Sequence, residues 1–180
     1  MTAGPIRRAR LQPVFETQRL ILLPRTLADT DDCLAMDNDP EVTRFVVGPW
    51  GDRLKHRAFV ESRTLANYPA GMGYWTIRFR ADPTEFLGWI LLIPADASGP
   101  EIEIGWRLPR KAWGSGIATE AARPVLQHAF ARLELPEVVA EIDARNVGSM
   151  RVAEKLGLIR RGEVGHEGTV SVRYTVLRPN

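Results

Sequence analysis

The chain has 180 residues, 44% of them apolar and 26% charged, which suits one domain over residues 1–180 whose core needs no staples. A formal net charge of +2 gives no basic field of the kind that marks a nucleic-acid partner. The single cysteine, Cys33, excludes an intrachain disulfide and fits a reducing cytoplasm.

No apolar run approaches the ~20 residues that span a bilayer. The basic start MTAGPIRRARLQP lacks an apolar segment behind it, so neither a membrane nor a signal peptide is expected. The three histidines are scattered, and no Cys/His pair has metal-ligand spacing, so no metal is expected.

Residues 1–15 read as a flexible or irregular segment. RLILLPR (19–25) is rich in branched apolar residues and reads as a strand. TLADTDDCLAMDND (26–39) reads as a short helix capped near Thr26 or Asp29. Pro40, Gly48, Pro49 and Gly51 break residues 40–52 into mostly loop. Leu54, Ala58, Phe59, Leu65 and Tyr68 then give residues 53–68 a helical stripe.

The period changes to two over 73–94, where two strands flank the turn ADPT. Ile102, Ile104, Trp106 and Leu108 alternate on one face of a strand over 101–108. A helix over 118–133 contains Pro124, which removes a bond to the Glu120 carbonyl. EVVAEID (137–143) is a short buried strand, and NVGSMRVAEKLGL (146–158) a helix ended by Gly157. Two last strands surround GHEG (165–168). Hairpins mixed with helical crossovers imply a mixed α/β sheet with helices on both faces.

WGSGIAT (113–119) joins a strand to a helix start. The first turn of a helix leaves N–H groups without internal partners, and they favour an anion. Gly114, Ser115 and Gly116 let a ligand approach the backbone, and Arg110 and Lys111 add positive charge. A tight connection is the alternative reading. No Lys-Ser/Thr follows the second glycine, and Thr119 stands where a dinucleotide fingerprint needs its third glycine.

EIGWRLPRKAWGSGIATEAA (103–122) resembles the acetyl-coenzyme A signature of the GNAT superfamily of N-acetyltransferases, most of all its Rim-type branch of ribosomal-protein N-terminal acetyltransferases. The superfamily pattern Gln/Arg-x-x-Gly-x-Gly/Ala falls on residues 113–118. Gly116 and Ala118 fit, and Trp113 departs from it in the way familiar in the Rim-type branch. Asn146, Ser149, Lys155 and Gly157 fall into register with that branch's second segment. Residues 16–42 resemble its first strand and helix, so the likeness covers roughly 16–178.

The resemblance implies a GNAT fold: an α/β (α+β), mostly antiparallel sheet of six to seven strands, splayed in the middle and flanked by about four helices. It implies acetyl-CoA as co-substrate, with pantetheine pairing like an extra strand at the backbone of Trp106 and Leu108. The cofactor segment runs from Trp113 to Thr119, with pyrophosphate on the amides of Gly114, Ser115, Gly116, Ile117 and Ala118. Asn146 would bond the pantetheine. Arg110, Lys111, Arg151 and Lys155 would meet the adenosine phosphates, or else be solvated surface charges. A homodimer is common in the family and is implied by fold analogy alone.

The chemistry needs a neutral amine to attack a thioester and a thiolate to leave. Glu103, on the side of its strand opposite Ile102 and Ile104, is the preferred base; otherwise it is an exposed strand carboxylate. Glu101 is its less favoured neighbour. Ser149, by analogy with the branch, would protonate the thiolate; otherwise it is a helix-start serine. No tyrosine stands near it in sequence. His128 reads as structural, and Trp50 as either pocket lining or packing. The acceptor is then a protein N-terminal α-amine or a small amine. The other readings are an antibiotic- or metabolite-modifying acetyltransferase and a non-catalytic acyl-CoA sensor. DTDDCLAMDNDPE (29–41) is acidic but not the strong run that a polycation would favour.

Overall fold

The computed structural model describes residues 12–95, 99–166 and 168–179. Its strands are β1 (Phe15–Glu16), β2 (Leu20–Pro24), β3 (Gly73–Phe79), β4 (Phe86–Pro94), β5 (Ile102–Arg107), β6 (Glu137–Asp143), β7 (Ile159–His166) and β8 (Thr169–Leu177). They form one sheet in the order β1-β2-β3-β4-β5-β6-β8-β7. Every neighbouring pair is antiparallel except β5 and β6. The helices are α1 (Thr30–Asp37), α2 (Pro40–Thr43), α3 (Arg53–Leu65), α4 (Ile117–Ala131) and α5 (Val147–Lys155).

Register sorts the side chains onto two faces. Trp75, Ile90 and Trp106 lie in line across β3, β4 and β5. This face meets α4 and α5: Trp75 and the α4 residue His128 both pack on Phe15, and Trp106 reaches Ser149 of α5. The other face carries Thr76, Trp89 and Arg107 in line and meets α1 through the Arg107–Asp37 ion pair. The core fills the first face with Leu22, Trp75, Ile77, Ile90, Leu92 and Ile104, nearly all free of solvent. Each such side chain contributes roughly 1.5–3 kcal/mol by leaving water. Ala121, Ala122, Val125 and Ala129 make the buried stripe of α4, small enough for the helix to sit close to the sheet.

Two expectations change. The sheet has eight strands because Phe15, the last residue of the segment expected to be irregular, and Glu16 after it pair with Leu22 and Ile21; residues 1–11 of that segment lie outside the described residues. A fifth helix, α2, occupies what read as loop. Pro40 starts it rather than breaking it, since a first-turn proline lacks only an N–H that would be orphaned anyway, and Asp39 caps the Glu41 amide. Of the two readings of Trp50, packing is the one observed: its ring meets His56 and Phe59 edge-on, and its indole N–H donates to the Val46 carbonyl. Other readings hold closely. Gly157 ends α5 at φ +86°, and His128 is structural, its Nε2 lying 2.9 Å from the Gly71 carbonyl.

Candidate active site

After β5 the chain makes a 3-10 turn over Arg110–Ala112 and enters α4 through Gly114 and Gly116, at φ +70° and +79°. These are left-handed conformations that glycine adopts without steric cost. Ser115 Oγ donates to the Ala112 carbonyl over 2.8 Å, and Arg19 Nη2 to the Ser115 carbonyl over 3.1 Å. Glu120, in the first turn of α4, accepts from Thr17 Oγ1, Arg19 N and Arg19 Nε. The turn is thus braced from outside by the β1–β2 turn. The first helical N–H to find a partner is that of Glu120, bonded to the Gly116 carbonyl. Among the described residues, the amides of residues 114–119 have no protein acceptor, so a row of donors and the positive end of α4 face outward together.

The parallel pair β5–β6 is joined at one position, Glu103 opposite Val139. Beyond it the strands part, although Trp106 and Arg107 still pair with Ile90 and Trp89 of β4. The split opens into a cavity of about 920 Å³ that reaches from Asn146 and Ser149 to Tyr74 and Arg25. On the α5 side, Asn146 Oδ1 caps the helix by accepting from Ser149 N over 3.0 Å. Trp106 Nε1 donates to Ser149 Oγ over 3.3 Å. That bond uses an acceptor position of the hydroxyl and leaves its proton free to be given.

Glu103 lines the cavity from the opposite face of β5, as its place in the alternation predicts. Glu101 is different: Arg173 grips it and also Glu141. Arg107 is held between the rings of Trp50 and Trp89, 5.0 and 5.1 Å from their centres, and pairs with the buried Asp37 over 3.1 Å. His56 Nε2 lies 3.2 Å from the other oxygen of Asp37. Deeper in, the Arg25 guanidinium stacks 3.8 Å from the centre of the Tyr74 ring. Burial pushes the Tyr74 hydroxyl up to about 12 and the Cys33 thiol up to about 11, so both keep their protons at neutral pH.

The sequence-derived residues fall into three groups. Glu103, Trp106, Asn146 and Ser149 meet at the cavity, and residues 114–119 form the donor row beside it, while the Trp113 amide is spent on the Arg110 carbonyl. Trp113 folds back, its indole N–H donating to the Leu108 carbonyl over 2.8 Å, so one lone pair of that carbonyl is already engaged. Arg110 and Lys111 point elsewhere: Arg110 pairs with Asp39 over 3.0 Å and Lys111 with Glu85 over 2.7 Å. Arg151 and Lys155 are exposed on α5, with no carboxylate on them among the described residues. Reading the sequence missed Arg25, Arg63, Tyr74 and Trp89, which have no motif or shared local period and come together only through the strand register.

The structure has close relatives. A model of the acetyltransferase (GNAT) domain matches residues 19–159. The FsC-acetyl coenzyme A-N(2)-transacetylase of Aspergillus fumigatus is 31% identical over 158 residues, covering 83% of this chain and 66% of that one, so the chain spans just under two thirds of its length. The Bacillus subtilis protein YkkB is 33% identical over 122 residues, 67% of this chain and 70% of its own. The acetyltransferase crystal structure from Agrobacterium tumefaciens superposes with a TM-score of 0.78 at 28% identity, covering 96% of this chain and 99% of that one. The domain match runs from the turn before β2 through the split to the start of β7, and on that ground the chain belongs to the acetyltransferase (GNAT) family.

Proposed function

We propose that the protein, working as one domain, moves an acetyl group from acetyl-CoA to a primary amine by direct attack on the thioester. The observation that carries this reading is the conjunction of the donor row at the start of α4 with the split beside it. The unpartnered amides of residues 114–119 fit an anionic pyrophosphate, and the unpaired backbone of β5 beyond Glu103 fits an extended polar arm. Asn146 keeps its amide N–H groups for that arm, since only its Oδ1 is used in capping. The Aspergillus relative, by its name an acetyl coenzyme A-N(2)-transacetylase, supports the same donor.

Acetyl-CoA supplies an activated acyl group with a thiolate as leaving group. Glu103 takes a proton from the incoming ammonium, directly or through water, and passes it to solvent. The amine nitrogen forms the new C–N bond and gives up its second proton to solvent as the C–S bond breaks. Ser149 gives its proton to the departing sulfur and recovers one from solvent. The Rim-type likeness of the two motif segments supports an N-terminal α-amine or a small amine as acceptor. An α-amine, with pKa near 8, is about 10% neutral at pH 7, against well under 0.1% for a lysine-type amine. A thiol-release screen of amines and N-terminal peptides with acetyl-CoA tests the reading. CoA binding without turnover on any amine would instead make the protein a sensor.

A further inference from the structure

The charges around the cavity are not all matched. Asp37 is bound by Arg107, Glu101 and Glu141 by Arg173, and Asp143 by Arg145. The acidic run over 29–41 is likewise engaged: Asp29 pairs with Arg78, Asp31 with Arg57 and Asp39 with Arg110. Two arginines that line the cavity are left over. Among the described residues, neither Arg25 nor Arg63 has a carboxylate within ion-pair distance. Arg63 rests against the Phe59 ring. Arg25 is the more unusual, because its Nε and Nη2 are buried with no hydrogen-bond partner.

A buried cation without a counter-charge is costly, and a bound anion relieves that cost. Burial lowers the pKa of Arg25, with Asp29 nearby but committed to Arg78. The Tyr74 hydroxyl, kept protonated, is a third donor at the same place. It feels Arg25 and Arg63 and, with the opposite sign, Glu103, which lines the same cavity from β5.

We infer that the acceptor is anionic: a primary amine carrying a carboxylate at its far end, held by Arg25, Arg63 and the Tyr74 hydroxyl. The register sets the scale. Tyr74 lies opposite Leu91, and Leu91 opposite Gly105, so two strand spacings, about 10 Å, separate this cluster from the strand that carries Glu103. Three extended residues cover that span. The inference rests on the acetyl-transfer reading for the position of the amine, while the anion subsite stands on its own geometry.

The test uses the full chain and two matched pairs of probes: Gly-Gly-Gly and its C-terminal amide, and 6-aminohexanoate and its amide. Calorimetry in the presence of CoA measures binding, and thiol release from acetyl-CoA measures turnover. In at least one pair the carboxylate should bind, and turn over, about tenfold better or more than the amide, as expected for charge-assisted hydrogen bonds. The pair with the larger preference tells a peptide from an ω-amino acid. Arg25→Gln and Arg63→Gln should each shrink the preference, and Arg25→Lys should keep part of it; CoA affinity reports that each variant is folded. Equal treatment of carboxylate and amide, failure of all four probes to bind, or a preference that survives both Gln variants overturns the inference. A binding preference without turnover supports the subsite and overturns the acetyl-transfer reading. Turnover of the amides as good as that of the carboxylates does the reverse.

Discussion

Trp106 and Ser149 meet across the split: the indole N–H of β5 donates to the hydroxyl at the first turn of α5 over 3.3 Å. The bond holds Ser149 Oγ at the cavity while leaving its proton unused. Ser149→Ala should lower kcat by about 10²-fold, the lower end for a general acid, since water replaces part of the function. CoA affinity should change little, because the donor matters as the thiolate forms. Trp106→Phe should cost less, and its effect on kcat should vanish in the Ser149→Ala background. Additive losses in that double-mutant cycle would mean that Trp106 does not act through Ser149.

Glu103 should matter most where the amine arrives protonated. Glu103→Gln should lose activity at pH 7 and regain part of it as pH rises toward the acceptor's own pKa, because solution then supplies the deprotonation. The pH–rate profiles of wild type and variant, taken on one acceptor, decide the matter. Superimposable profiles would remove Glu103 from the reaction.

Gly116 caps α4 at φ +79°, where any side chain is strained and would stand among the free amides. Gly116→Gln should weaken CoA binding tenfold or more, about 1.4 kcal/mol. It should also cost about 1–2 kcal/mol of stability through the left-handed backbone. Calorimetry and a urea melt on the same sample separate the two effects; unchanged CoA affinity in a folded variant would move the pyrophosphate away from this turn.

Glu120 ties α4 to the β1–β2 turn. Burial alone would raise its pKa, but hydrogen bonds from Thr17 and Arg19 outweigh it and hold the carboxyl below its ordinary value. A carboxylate with a depressed pKa stabilises the fold above the unfolded pKa of about 4.3, and that stabilisation is lost as pH falls through the folded value. Glu120→Gln should therefore cost on the order of 1–2 kcal/mol at pH 7 and clearly less at pH 3. Urea melts at both values test the sign, and an equal loss at pH 3 would contradict it.

Cys33 is 1% exposed, and burial raises its pKa to about 11. At pH 7.5 only about one molecule in three thousand would carry the thiolate, even before access is counted. The folded protein should therefore not react with a disulfide reagent such as Ellman's, while one thiol per chain should appear in urea. Rapid labelling of the folded protein would show that the segment over Cys33 opens.

The elements visible in the sequence were those whose signal is local. β6 runs over Glu137–Asp143, the apolar run itself, and α5 begins at its Asn146 cap and stops at Gly157. β1 was not visible because two residues carry no period; Phe15 is fixed by Trp75 and His128, far along the chain. In the site, the glycine turn was legible because a tight entry into a helix requires small residues, whereas Asn146 and Ser149 were singled out only by their resemblance to the Rim-type segment. Arg110 and Lys111 suggested a phosphate contact through adjacency alone, but the 3-10 turn sends them to Asp39 and Glu85. The cluster of Arg25, Arg63 and Tyr74 joins β2, α3 and β3, and nothing short of the register announces it.

The single point of contact between β5 and β6 makes two interior strands behave as edges. An exposed edge is an open template for any passing strand, and proteins usually blunt it with charge, proline or a bulge. Here the edge lies inside the molecule, with α1–α3 over one face of the sheet and α4 and α5 over the other. Only something as thin as one extended chain can enter edgewise and use its hydrogen bonds. The same geometry that makes the sheet incomplete therefore acts as a size filter, protecting the protein from its own unpaired backbone while keeping that backbone available.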